Sequence, residues 1–147
     1  MKLKAKNASL DFFREKCREH SLKVTPQRTL IYKELLKSKD HPNADVLFKR
    51  VNKIFPDISL DTVNRTLLTF HNIGIVNIVE GYGEPRRFDP DIENHHHFRC
   101  VKCNSITDFD YNLYDSLKVP EEIYGKFFVL NKKVLLEGYC DKCRKKI

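Results

Sequence analysis

The apolar residues of this chain keep helical spacing through its first half and then change period. Over 9–20, Leu10, Phe13 and Cys17 share one helical face, and Ser9 is placed to cap it. Thr25-Pro26 opens a second helix, with Pro26 at its first position and Leu30, Ile31 and Leu35 turned inward. Asp40-His41-Pro42-Asn43 is a break, after which Asn43 caps a third helix through Val46, Leu47, Val51 and Ile54. Ser59 caps a fourth helix over 60–72, whose buried stripe is Val63, Leu67 and Phe70 and whose stop is Gly74. Ile75-Val76-Asn77-Ile78-Val79 is β-branched, Gly81-Tyr82-Gly83-Glu84-Pro85 turns, and Arg86-Arg87-Phe88-Asp89 returns. Helices closed by a short hairpin describe a winged helix-turn-helix. Beyond Pro90 the pattern predicts strands over 95–101, 106–109, 127–130 and 134–139, with a short helix over 113–118 stopped by Pro120. The expected class is α+β. A winged-helix domain spans 1–83, a hinge 84–92 and an α/β domain 93–147.

Charge sharpens that division. Residues 1–83 carry fifteen Lys and Arg against nine Asp and Glu, whereas 84–147 carry twelve against eleven. Positive charge gathered in the first half suits a phosphate-bearing partner, although a solvated basic surface has the same composition. No apolar run approaches the roughly 20 residues needed to span a bilayer. The opening MKLKAKNASLDFF lacks an apolar core and a cleavage site, so no secretory signal is expected. The cytoplasm is the expected compartment, without a membrane role.

Four of the five cysteines form two C-x-x-C pairs, Cys100-Val101-Lys102-Cys103 and Cys140-Asp141-Lys142-Cys143. Two such pairs present four thiolates to one zinc ion, which accepts a tetrahedron without directional preference. A closed four-ligand site leaves no position for substrate, so this zinc is expected to be structural. Cys17 stands apart as a small buried hydrophobe.

Asn94-His95-His96-His97 runs directly into the first pair. In a strand, His95 and His97 face one side and His96 the other. Asp89 lies just upstream and Asp108 on the next strand; adding His41 gives three imidazoles and two carboxylates. Such a mixed set suits Fe(II), Mn(II) or Zn(II). Spacing alone also permits solvated surface histidines, and it supports His41 least.

From Leu22-Lys23-Val24-Thr25-Pro26-Gln27-Arg28, through His41-Pro42, Thr62-Val63, Gly74-Ile75-Val76 and the histidine cluster, to the last cysteine pair, the chain resembles the ferric uptake regulator family. It is most similar to the peroxide-sensing branch. The resemblance implies a winged-helix half and a half that dimerises around the four-cysteine zinc. It implies that His41, Asp89, His95, His97 and Asp108 form a regulatory Fe(II) or Mn(II) site. Aspartates at 89 and 108 match the peroxide sensors, where iron-responsive members have glutamates. A further family site uses positions matching His96, Asp115 and a histidine. Lys132 replaces that histidine, so the extra site is not expected.

The implied partner is double-stranded DNA with a palindromic operator, read by a homodimer. Ser59, Thr62, Asn64 and Arg65 are the candidate contacts on the recognition helix, with Lys23, Arg28 and Tyr82 reaching backbone or minor groove. Asn64 stands where the family has tyrosine, so contact of an aromatic ring with a thymine methyl is lost. Asp61, in place of the commoner alanine, adds negative charge nearby. The expected activity is metal-dependent repression, not catalysis, with peroxide read through metal-catalysed histidine oxidation; the alternative is an iron-responsive repressor governed by occupancy alone. A non-haem iron enzyme on His95, His97 and a carboxylate lacks an evident substrate pocket, and no small organic substrate is expected. A metal-storing module would show no metal-dependent DNA binding.

Overall fold

The computed structural model describes residues 8–81 and 85–147; Tyr82, Gly83 and Glu84 at the expected wing tip lie outside them. The chain divides after Glu93 into two compact units. The first contains α1 (Leu10–Glu19), α2 (Pro26–Lys37), α3 (Ala44–Asn52) and α4 (Leu60–Asn72), then β1 (Asn77–Ile78) and β2 (Phe88–Asp89). Each of its helices begins on a side-chain cap: Ser9 accepts from Phe12 N, Thr25 from Arg28 N, Asn43 from Val46 N and Ser59 from Thr62 N. Each cap satisfies a backbone donor that the helix cannot, contributing about 1 kcal/mol. At the end of α4, Gly74 takes φ +81°, a conformation that a side chain would strain. Gly74 N then donates to His71 O and Ile75 N to Phe70 O, both at 3.0 Å, which satisfies two terminal carbonyls.

The core of this unit is aromatic at its centre. Phe13 stacks on Tyr32 at 4.7 Å between ring centroids, and Phe70 meets both edge-on at 5.5 and 5.9 Å. Ile31, Leu35, Leu47, Val51, Val63 and Leu67 surround the rings, all buried. Phe88 of β2 belongs to the same core, although it falls within the stretch expected to be a hinge. β2 pairs antiparallel with β1, Asn77 opposite Asp89 and Ile78 opposite Phe88.

The second unit contains β3 (His96–Cys100), β4 (Ile106–Phe109), α5 (Asn112–Asp115), α6 (Glu121–Tyr124), β5 (Leu135–Gly138) and α7 (Asp141–Arg144). Its sheet has the order β4-β3-β5, with β4 antiparallel and β5 parallel to β3. The parallel pair needs a long crossover, supplied by the segment carrying α5 and α6.

Two sequence expectations need correction here. The helix expected over 113–118 ends at Asp115, capped by Ser116, and Pro120 stops no helix; it precedes α6, whose first turn has Glu121 and Glu122 at the positive end of the helix dipole. No strand forms over 127–130. Phe127 N instead donates to Ile123 O at 2.8 Å, and the following residues lie in no regular element. A strand needs a ladder partner, and no described strand of this chain pairs with the segment. Its side chains remain outside, Phe128 90% and Leu130 83% exposed.

Candidate metal centres and nucleic-acid interface

The parallel register of β3 and β5 sets Cys100 opposite Gly138, and Val101 N donates to Gly138 O at 2.8 Å. The two C-x-x-C knuckles, each at the end of one of these strands, are thereby brought together. Asn104, in the left-handed region at φ +60°, closes the first by donating its N–H to Cys100 O. The second winds into α7, with Cys140 at the cap and Cys143 within the helix. The four sulfurs lie within 4.8 Å of one another, and Cys103 Sγ is 3.8 Å from Cys140 Sγ. A zinc–thiolate tetrahedron with bonds of about 2.3 Å has an edge of about 3.8 Å. Backbone N–H groups of Cys103 and Cys140 pull the Cys100 thiol down to about 6. Hydrogen bonding to Cys140, aided by burial, pushes Cys143 up to about 12. Four crowded sulfurs cannot all ionise by themselves, and a divalent cation at their centre removes the conflict. The donor set therefore fits zinc. Cys17 lies in the first unit's core, where burial raises its thiol.

In the second unit, His95 and His97 converge as alternation predicts. Their Nε2 atoms are 3.0 Å apart. Asp108, directly opposite His97 across the β3–β4 ladder, sets Oδ1 3.2 Å from His97 Nε2 and 3.6 Å from His95 Nε2. Ligands at right angles on a metal with bonds of about 2.1 Å are about 3 Å apart. Two imidazoles and a carboxylate in this spacing match one face of such a coordination sphere.

His96 faces the other way. Its Nδ1 accepts the Val134 N–H at 3.1 Å, so the ring proton is on Nε2, which donates to Asp115 Oδ1 at 2.9 Å. Asn94 Nδ2 donates to the same oxygen at 3.0 Å. Among the described residues no third Cys, His, Asp or Glu joins this pair into a ligand cluster. Lys132 Nζ donates to Leu117 O at 2.7 Å. The arrangement ties β3 to α5 and to the residue before β5.

The first unit brings together His41 and Asp89, both buried, with Nε2 3.4 Å from Oδ2. Asp89 Oδ1 accepts from Asp91 N at 2.9 Å, which orients the carboxylate. His41 takes φ +49°. A non-glycine residue in such a region costs of order 1 kcal/mol and persists only where its surroundings impose it. The imposing groups are distant in sequence. Phe88 N donates to Pro42 O at 3.0 Å, Asn43 bridges to Arg87, and the Arg87 guanidinium grips the Asp40 and His41 carbonyls. Arg50 grips the Asp40 carboxylate and holds it below the usual carboxylate range. Sequence reasoning missed Arg50 and Arg87, because no local pattern announces contacts 10 and 46 residues away.

On α4, Asn64 and Arg65 are exposed, but Arg65 Nε pairs with Asp61 Oδ2 at 2.9 Å. Asp61 thus shares the guanidinium expected to meet DNA. The Ser59 hydroxyl caps the helix and lies 2.9 Å from the Thr62 hydroxyl, so both hydroxyls are engaged locally. Lys23 is exposed, and its carbonyl accepts from Arg28 Nη1 at 2.6 Å. No helix of the described residues is long and apolar enough to cross a membrane.

The family model for the ferric uptake regulator family matches residues 19–136. The peroxide-responsive repressor of Staphylococcus epidermidis is 33% identical over 127 residues, covering 86% of this chain and 85% of that protein. The solved Campylobacter jejuni peroxide stress regulator aligns at TM-score 0.65 and 29% identity, covering 97% of this chain and all of the other. The Helicobacter pylori ferric uptake regulator, described with three functional metal-binding sites, shares the fold at TM-score 0.73 and 19% identity, covering 98% of this chain and 97% of its own. This chain belongs to the ferric uptake regulator family, whose members are metal-responsive transcriptional regulators rather than enzymes.

Proposed function

We propose that the protein is a dimeric, metal-dependent repressor that releases DNA when peroxide oxidises a histidine of its regulatory site. Residues 1–83 read a palindromic operator, residues 93–147 dimerise, and the 84–92 link, which carries Asp89, is the part whose setting the metal fixes. Zinc on Cys100, Cys103, Cys140 and Cys143 is structural. Fe(II) or Mn(II) is held by His41 and Asp89 together with His95, His97 and Asp108. The observation that carries this reading is the convergence of His95 and His97 at 3.0 Å with the Asp108 carboxylate against both. Aspartates at 89 and 108 and relatives named as peroxide-responsive repressors support the peroxide branch. Cysteines paired as C-x-x-C metal ligands rather than as disulfides suit the cytoplasm.

His41 and Asp89 belong to the unit that carries α4, and His95, His97 and Asp108 to the other. Shared ligation would fix one unit against the other and so set the spacing of the two recognition helices in a dimer. Bound ferrous iron would supply the reducing chemistry that splits the peroxide bond. His41 and His95 then offer their ring carbons as acceptors: one peroxide oxygen enters the ring and the other leaves as water. An oxidised imidazole binds metal poorly, so the two units part and DNA is released. Thr62, Asn64 and Arg65, with Lys23, Arg28 and Ser59, are the proposed DNA contacts.

The test is DNA binding by the Mn(II)- and Fe(II)-loaded protein, each before and after peroxide. Both forms should bind DNA. The iron form alone should lose it irreversibly, with one oxygen gained on a peptide containing His41 or His95. Unchanged mass, with release driven only by metal withdrawal, overturns the peroxide reading and assigns iron-type control.

A further inference from the structure

We propose that Arg87 and, through Asp40, Arg50 are positioning residues that fix His41 in its metal-binding geometry and tie it to helix α3. The inference rests on His41 being a regulatory ligand. Arg87 Nη2 donates to Asp40 O at 2.6 Å and its Nε to His41 O. Those two oxygens belong to the peptide units on either side of the His41 Cα. One guanidinium, whose donors form a rigid fork, therefore sets the φ and ψ of His41 together. That accounts for its left-handed backbone, φ +49°, without a local sequence cause.

β2 and the residue that leads into it carry both halves of the arrangement. Arg87 and Asp89 are two residues apart and point to the same side, so one grips the His41 backbone while the other meets its ring at 3.4 Å. Loop position and second donor are thus delivered by the same element. Phe88, between them, anchors that element in the apolar core and pins Pro42 through its N–H.

Arg50 extends the clamp to α3. Its Nη1 reaches Asp40 Oδ1 at 3.0 Å and Ser38 Oγ at 2.7 Å, while Nη2 reaches Asp40 Oδ2 at 2.6 Å. The Ser38 hydroxyl donates onward to Glu34 O in the last turn of α2. The end of α2, the His41 loop and the last turn of α3 are joined through two arginines. A shift of His41 on losing metal would pull on α3 through this connection. Neither arginine is itself a ligand; both act through where they hold His41.

The experiment measures Mn(II) binding by the full-length, zinc-loaded protein as wild type, His41→Ala, Arg87→Ala, Arg87→Lys, Arg50→Ala and Asp40→Asn. Metal-free melting and zinc content are recorded for each. Arg50 and Asp40 are partly exposed at the surface, so their substitutions keep the test open if Arg87→Ala fails to fold. The wild type should bind one Mn(II) that His41→Ala loses. Arg87→Ala should weaken that binding at least about tenfold with zinc retained, Arg87→Lys should recover part of it, and Arg50→Ala and Asp40→Asn should show smaller losses. A metal-free melting temperature that stays put while Mn(II) affinity falls separates positioning from general support. Wild-type affinity in Arg87→Ala and Arg50→Ala, beside a His41→Ala that has lost the metal, overturns the inference alone. A wild type whose Mn(II) binding does not need His41 overturns it together with the reading beneath it.

Discussion

The two units of this protein bury different kinds of side chain. The first packs fourteen apolar residues into one cluster around Phe13, Tyr32 and Phe70. In the second, the buried described residues are Cys100, Cys143, His95, His96 and His97. Its apolar side chains are at most half-buried, as at Phe98, Ile106, Phe109 and Leu135, and others, among them Phe127, Phe128, Leu130 and Tyr139, are exposed. The first unit has what a domain needs to fold by burial. The second has buried donors where a core would be, and a chain segment of that size rarely reaches stability by burial unaided. Its stability must come from ligands to those donors and from covering its apolar surface.

The largest effect expected from this contrast is on metal removal. Structural zinc in small domains contributes about 10–16 kcal/mol to folding at neutral pH. Withdrawing zinc with a strong chelator, or making Cys103→Ser, should abolish the second unit's cooperative transition in calorimetry. The transition of the first unit should persist. If both units melt together as before, the second has a source of stability other than its cysteines. Dimerisation belongs to the same contrast: Phe128→Ser with Leu130→Ser should shift sedimentation toward the monomer while leaving the first transition in place.

The contrast also explains what was legible in the sequence. The helices of the first unit are readable because their signals are local: Ser9, Thr25, Asn43 and Ser59 sit one residue before their helices and cap them. The cysteine pairs are readable from spacing, and His95 with His97 from the two-residue period of a strand. The Arg87 clamp is not, because it joins residues 46 apart and leaves no periodic trace. The segment 127–130 misleads for another reason. Phe127-Phe128-Val129-Leu130 has strand composition, but composition does not supply a partner, and β5 takes the place beside β3. The parallel pairing of β5 was equally invisible, since register between distant strands is set by the fold as a whole.

The next effect in size falls inside the first core. Phe70→Ala removes the ring that meets Phe13 and Tyr32 edge-on, and a buried phenylalanine truncated to alanine typically costs 3–5 kcal/mol. Urea unfolding should show that loss in the first transition alone, with the metal content of the second unit unchanged. Loss of zinc in this variant would mean that the two units do not hold their stability separately.

The smallest expected effect has the opposite sign and probes the same core more finely. The Tyr32 hydroxyl is buried and has no hydrogen-bond partner among the described residues. Burial pushes its ionisation above the ordinary tyrosine range, so the phenol stays protonated through the whole range in which the protein works. A buried donor left unpaired carries a desolvation cost of about 1–3 kcal/mol, part of which any small relaxation of the packing recovers. Tyr32→Phe deletes the hydroxyl and keeps the ring stacked on Phe13 at 4.7 Å and edge-on to Phe70. The substitution should therefore stabilise the first unit by about 1 kcal/mol in urea unfolding, with an unchanged m-value and no effect on the second transition. A loss of stability would show that the hydroxyl is hydrogen-bonded in solution, to a buried water or to a group outside the described residues. The first core would then contain a polar contact after all, and the difference between the two units would be one of degree.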